Sequence, residues 1–204
     1  MRPLFATLAL FASSSLFAGE FNKVLSVGDA APAWKGLDGI DGKTHALADL
    51  AAKDVVVVVF TCNSCLVAEA YEDRLVALAA AHAGKDSKVA VVAINVNTGK
   101  ADALPAMKAR AEKRKFPFLY LYDPSQAIAK KYGANFTPEF FVLDKARQVV
   151  YLGALDDKVP PREPTAKYVE AAVAAALAGK APAKAETSAS TGCRIKWDRK
   201  KDDE

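Results

Sequence analysis

Two cysteines separated by two residues, Cys62-Asn63-Ser64-Cys65, lie where the apolar run from Val55 to Phe60 stops and a helical pattern begins. A thiol at the start of a helix meets unpaired N–H groups and the positive end of the helix dipole, both of which stabilise its thiolate. Such a pair passes readily between dithiol and disulfide. Closing a loop over two residues adds little stability, so reactivity explains the pair better than a structural staple does. The bland alternative is two buried, inert cysteines. One helical turn beyond Cys65 stands Glu69, which is placed either to move a proton to the neighbouring thiol or simply to face solvent. His45 and His82 have no partners at metal-ligand spacing and read as structural or exposed.

The elements that position these thiols follow from hydrophobic patterning. Val55 to Phe60 is continuously apolar and β-branched, as suits a central strand covered on both faces. From Asn63 to His82 the positions Val67, Tyr71, Leu75 and Leu78 recur at helical spacing, while Cys62, Cys65, Glu69 and Glu72 fall on roughly the opposite side of the wheel. That placement leaves the thiols outside the helix's packing face. A hairpin is expected around Asp38-Gly39 and Asp41-Gly42, a strand over Lys88–Asn95, and a helix over Ala103–Lys115 with Asp102 as its N-cap. A strand over Phe118–Tyr122 precedes a short helix ended by Gly133, then a hairpin of Glu139–Leu143 with Gln148–Leu152, then a helix from about Pro164 to Ala178. Strands alternating with helices imply a layered α/β sheet.

Half of the 204 residues are apolar, enough for one well-buried domain with appendages. The net charge of +4 is spread among mixed charges, so no nucleic-acid surface is announced, and the basic run Lys108 to Lys115 reads as a solvated face. Residues 1–18 have the layout of a secretory signal peptide: Arg2, an apolar stretch from Leu4 to Phe17, and Ala18-Gly19 as the cut. A periplasmic or secreted protein with no membrane span after signal removal is therefore expected. With three cysteines the chain is not a disulfide scaffold. The domain should occupy residues 19–179. Residues 180–191, rich in Ala, Pro, Lys, Ser and Thr, read as a flexible linker to a Cys-containing tail, 192–204. A dozen residues of coil span roughly 20 Å, enough for Cys193 to return to the pair; bonding another chain, or remaining free, are the alternatives.

Together, the CxxC after a central strand and Thr137-Pro138 before a later one resemble the thioredoxin fold, with a central mixed β-sheet flanked by helices and an N-terminal hairpin extension. More narrowly the chain resembles redoxins, and among them the peroxiredoxin-like group that carries CxxC and includes alkyl hydroperoxide reductase relatives. The matching residues are Val27-Gly28-Asp29-Ala30-Ala31-Pro32, Cys62 to Cys65 with Ala70-Tyr71-Glu72-Asp73-Arg74-Leu75, Lys131-Tyr132-Gly133, Thr137-Pro138-Glu139-Phe140-Phe141, and Gly192-Cys193 with Ile195-Lys196-Trp197. The resemblance implies Cys62 as attacking thiol, Cys65 as resolving thiol, and Thr137-Pro138 as a cis-Pro loop that binds an extended substrate strand. It also implies protein thiols or disulfides as substrates, a thioredoxin-type electron donor, and no cofactor. A thiol peroxidase is the alternative, although Thr61 directly precedes Cys62 and no Pro-x-x-x-Thr-x-x-Cys is present. A copper-binding module using both thiolates is a third reading, with no further ligand evident.

Overall fold

The computed structural model describes residues 19–198; the expected signal peptide lies outside them. A seven-stranded mixed sheet forms the centre. β1 (Leu37–Gly39) and β2 (Thr44–His45) make the expected N-terminal hairpin at one edge. β3 (Val55–Thr61), β4 (Val89–Asn95) and β5 (Leu119–Tyr122) run parallel in the middle, and β7 (Glu139–Leu143) and β8 (Val149–Gly153) close the other edge antiparallel. The order across the sheet is β2-β1-β5-β4-β3-β7-β8.

Alternation along β3 explains why its valines need no polar face. Val55, Val57 and Val59 pack under α1 (Leu66–Ala81), α2 (Leu104–Arg114) and α4 (Tyr168–Leu177), while Val56, Val58 and Phe60 pack against α3 (Ala127–Tyr132) on the opposite side. Strand β3 therefore runs through the middle of two cores, and its C-terminal end delivers Cys62 to the junction with α1.

Helix boundaries depart from expectation where side chains find better partners elsewhere. Asp102 does not cap α2, whose N-cap is Ala103; its carboxylate instead accepts hydrogen bonds from the N–H groups of Asn63 and Ser64. α4 begins at Tyr168 because Asp157 takes the N–H groups of Thr165 and Ala166 and holds that stretch as a turn.

The stretch expected to be a flexible linker is packed onto the domain. Leu152 and Thr187 exchange backbone hydrogen bonds with that stretch and with β8, Thr187 is buried, and its hydroxyl meets Tyr151 Oη at 2.6 Å and accepts the N–H of Ala154 at 2.9 Å. Composition concealed this because the segment docks through backbone groups and one small hydroxyl rather than large apolar side chains. Gly153 permits the approach, since a Cβ there would lie 2.2 Å from the carbonyl oxygen of Thr187. Beyond it, β9 (Cys193–Arg194) pairs antiparallel with β6 (Phe136–Thr137) in a separate two-stranded sheet.

Candidate active site

The thiol-bearing loop spans the gap between β3 and α1. Cys65 is the N-cap of α1: its backbone is extended, and the Ala68 N–H donates to its Sγ at 3.3 Å. Cys62 lies three residues earlier, at the end of the strand. The position beside the helix's unpaired N–H groups thus belongs to Cys65 and not to Cys62, the thiol the resemblance implied would attack. Burial pushes the Cys62 thiol above the ordinary cysteine value; the Thr137 hydroxyl, 3.4 Å away, opposes the shift, and the negative charge of Asp102 adds to it.

A polar scaffold under the loop fixes its shape. Besides accepting from Asn63 and Ser64, the buried Asp102 sits where Asn95 Nδ2 donates to its backbone carbonyl. Tyr120 Oη donates to Asn63 Oδ1 at 2.8 Å, and Asn97 Nδ2 donates to Ser64 Oγ at 3.2 Å. Neither Asn97 nor Tyr120 was singled out from sequence, and Asp102 was read there only as a helix cap. They come from β5 and from the segment between β4 and α2, and only the parallel β3-β4-β5 pairing brings them beneath the cysteines.

Thr137-Pro138 lies opposite the loop, and its peptide bond is cis. The Thr137 carbonyl oxygen is 3.2 Å from Cys65 Sγ. Cys193 completes the arrangement: it forms a disulfide with Cys65, with Cα atoms 5.9 Å apart and a sequence separation of 128. Cys62 remains a free thiol, packed with Cys65 and Ala68 in a small apolar cluster against which Cys193 also rests. Both cysteines of the CxxC are buried, at 4% and 2% exposure, although they lie outside the packing face of α1. What covers them is the cis-Pro loop and the tail, neither of which a helical wheel represents.

Glu69 points away from the sulfurs toward α2, where Arg110 Nη2 lies 3.3 Å from its carboxylate. Arg110 also pairs with the buried Glu72, and Arg114 Nε meets Glu72 at 2.9 Å, so two cations of the basic run are paired to α1, while Lys108, Lys113, Arg114 and Lys115 remain exposed as expected. His45 pairs with Asp41 at 3.0 Å. Among the described residues no group of three or more His, Cys, Asp or Glu side chains converges as a metal site.

The family model for redoxins matches residues 26–169, most of the chain. The chain belongs to the redoxin family. Two solved structures lie close to this redoxin over nearly their whole length: an uncharacterized conserved protein from Geobacillus kaustophilus (34% identity, TM-score 0.78, 88% of this chain and 96% of that one) and a hypothetical protein from Sinorhizobium meliloti (32%, TM-score 0.77, 86% and 97%). The thioredoxin domain of a thiol-disulfide oxidoreductase from Bacteroides vulgatus is more distant, at 20% identity and TM-score 0.51 over 61% of this chain and 86% of that one, and shares the thioredoxin-like fold. Among curated proteins nothing matches the sequence. The redoxin thus has a thioredoxin-like fold and the thiols of a redox protein, and among its described residues no helix is long and apolar enough to cross a membrane.

Proposed function

We propose that this redoxin is an exported thiol-disulfide oxidoreductase that exchanges electrons with protein thiols and disulfides through Cys62 and Cys65. The observation that supports it most is the Cys65–Cys193 disulfide at a helix N-terminus beside a cis-Pro loop. A sulfur that caps a helix is a good leaving thiolate, because the charge it acquires is met by the Ala68 N–H and the helix dipole. Cys65 is therefore the exchanging sulfur in this reading, and Cys62, protonated at neutral pH and packed beside it, is the second thiol of the couple. Thr137 and Pro138 frame the sulfurs from the other side. Signal-like residues 1–18 and a disulfide both suit a periplasmic or secreted setting, with a thioredoxin-type donor supplying electrons.

Peroxide reduction fits less well. A peroxidatic cysteine needs a thiolate held by a cation and hydroxyl, whereas Cys62 is buried beside an anion and the nearby Arg110 is engaged by Glu69 and Glu72. The test is reduction of insulin disulfides by the protein with a dithiol donor, run beside hydrogen peroxide consumption. Turnover of insulin without appreciable peroxide loss supports the reading; peroxide consumption alone overturns it.

A further inference from the structure

The CxxC sulfurs are sealed. Cys62 and Cys65 are almost wholly buried, whereas the residue Cys193, whose sulfur bonds Cys65, is only half-buried. The C-terminal segment forms one side of the seal, held by contacts built for a backbone in this register. β9 pairs with β6, Thr137 opposite Cys193 and Phe136 opposite Arg194. The Ile195 N–H donates to the Asn135 carbonyl at 2.9 Å, and its side chain is buried among the residues around Tyr132 and Ala134. Two buried amides, Asn97 and Gln126, tie the tail to the domain: Asn97 Oδ1 accepts the Lys196 N–H at 3.1 Å, Gln126 Nε2 donates to the Lys196 carbonyl at 2.9 Å and also to that of Val96, and Gln126 Oε1 accepts the Asp198 N–H at 2.8 Å. Gly192 runs so close to the Thr137 carbonyl that a Cβ would lie 2.6 Å from it. Such a segment is anchored independently of its cysteine.

We infer that Cys193 is a catalytic residue, the outward member of a three-thiol relay in which protein clients exchange with Cys193 and electrons pass inward through Cys65 to Cys62. This rests on the oxidoreductase reading above. In the reducing direction the Cys193 thiolate attacks a client disulfide, forming a mixed disulfide and expelling one client sulfur, which takes a proton. Cys65 then attacks Cys193 Sγ, forming the Cys65–Cys193 disulfide and releasing the second client thiol. Cys62, after losing its proton to solvent, attacks Cys65 Sγ; the Cys62–Cys65 disulfide forms and Cys193 leaves as thiolate. Two electrons have moved from the Cys62/Cys65 dithiol to the client, and an external dithiol donor restores the pair. Because the tail stays seated throughout, the buried pair never has to meet a protein surface directly.

The experiment uses the full chain and insulin as client. Three proteins are compared, the wild type, Cys193→Ser and Cys65→Ser, each substitution replacing sulfur by oxygen at nearly the same size. Mixed disulfides with insulin are mapped by mass spectrometry, and trypsin cleavage after Arg194 and Lys196 reports whether the tail is seated. The relay predicts that Cys65→Ser accumulates insulin on Cys193, that Cys193→Ser reduces insulin at least tenfold more slowly than wild type, and that reduction leaves the tail no more than twofold more sensitive to trypsin. Insulin captured on Cys65 or Cys62 of Cys193→Ser at the wild-type rate would overturn the relay while leaving the oxidoreductase reading intact. Cleavage of the tail at least tenfold faster on reduction would also overturn it, by showing a plug that leaves. Failure of the wild type to reduce insulin at all would remove the oxidoreductase reading and the relay with it.

Discussion

The backbone carbonyl of Thr137 lies 3.2 Å from Cys65 Sγ, and the hydroxyl of the same residue lies 3.4 Å from Cys62 Sγ. One residue ahead of the cis-proline therefore touches both sulfurs of the CxxC with chemically opposite groups. A carbonyl can only accept, so it favours a protonated or disulfide-bonded sulfur, whereas a hydroxyl can donate to a thiolate. Thr137 thus biases Cys62 and Cys65 in different directions.

Replacing Thr137 by Val removes the hydroxyl and keeps the shape. The donor that partly offsets burial at Cys62 is lost, so its thiol moves further above the ordinary cysteine value. One hydrogen bond to an ionised sulfur is worth about 1.5 kcal/mol, or about a tenfold change in thiolate population. Alkylation of Cys62 in the oxidised protein, followed against pH, should slow about tenfold at pH 8. An unchanged profile would mean that the hydroxyl is bonded elsewhere.

Asp102 acts on the same thiol with the opposite sign. Its charge raises the Cys62 value, so Asp102→Asn, which keeps an acceptor for the N–H groups of Asn63 and Ser64, should bring the alkylation midpoint down toward the ordinary value. Asp102→Ala leaves both N–H groups without their acceptor in a half-buried loop and should cost about 1–2 kcal/mol of stability, measured by urea unfolding.

Glu139 provides a pH test away from the sulfurs. Burial pushes its carboxyl up, partly countered by the N–H groups of Asn135 and Phe136, both bonded to Oε2. The native state therefore holds this proton more tightly than the unfolded chain does. The stabilisation is complete below the unfolded carboxyl value and is lost as pH rises through the folded one. Glu139→Gln carries no charge to desolvate, so its stability relative to wild type should increase as pH is raised above about 4.5. A difference that stays flat from pH 4 to 7 would show that the carboxylate is not penalised.

Gly192→Ala tests the seating of the tail. The added Cβ meets the Thr137 carbonyl, a backbone atom with little room to move, so the strand pairing of β9 should weaken and stability fall by about 1–3 kcal/mol. Non-reducing peptide mapping should show less Cys65–Cys193 disulfide at a fixed redox poise. Wild-type mapping and stability would contradict the close approach.

Much of this architecture could be read from local pattern. The valines of β3, the Tyr71-Leu75-Leu78 stripe of α1 and the Gly133 end of α3 all declare themselves through periodicity or turn chemistry, because each depends on residues close in sequence. CxxC and Thr137-Pro138 were legible for the same reason. What stayed hidden depends on contacts across the fold. Asp102 looks like a helix cap until the parallel pairing of β3 and β4 places it under Asn63, and residues 180–191 look unstructured until Thr187 meets Tyr151. Which cysteine caps α1 was also beyond reach, since a CxxC pattern does not say whether the helix starts at its first or its second sulfur.

The most direct test is a redox titration of the full chain against a dithiothreitol couple, with acid quenching and non-reducing mapping of all three cysteines at each poise. The predicted result is a population that moves reversibly among the Cys65–Cys193 disulfide, the Cys62–Cys65 disulfide and the fully reduced chain, with Cys65 present in every bonded form. A Cys65–Cys193 bond that persists unchanged across the whole range while Cys62 never pairs would contradict the account, leaving a structural staple in a redoxin fold.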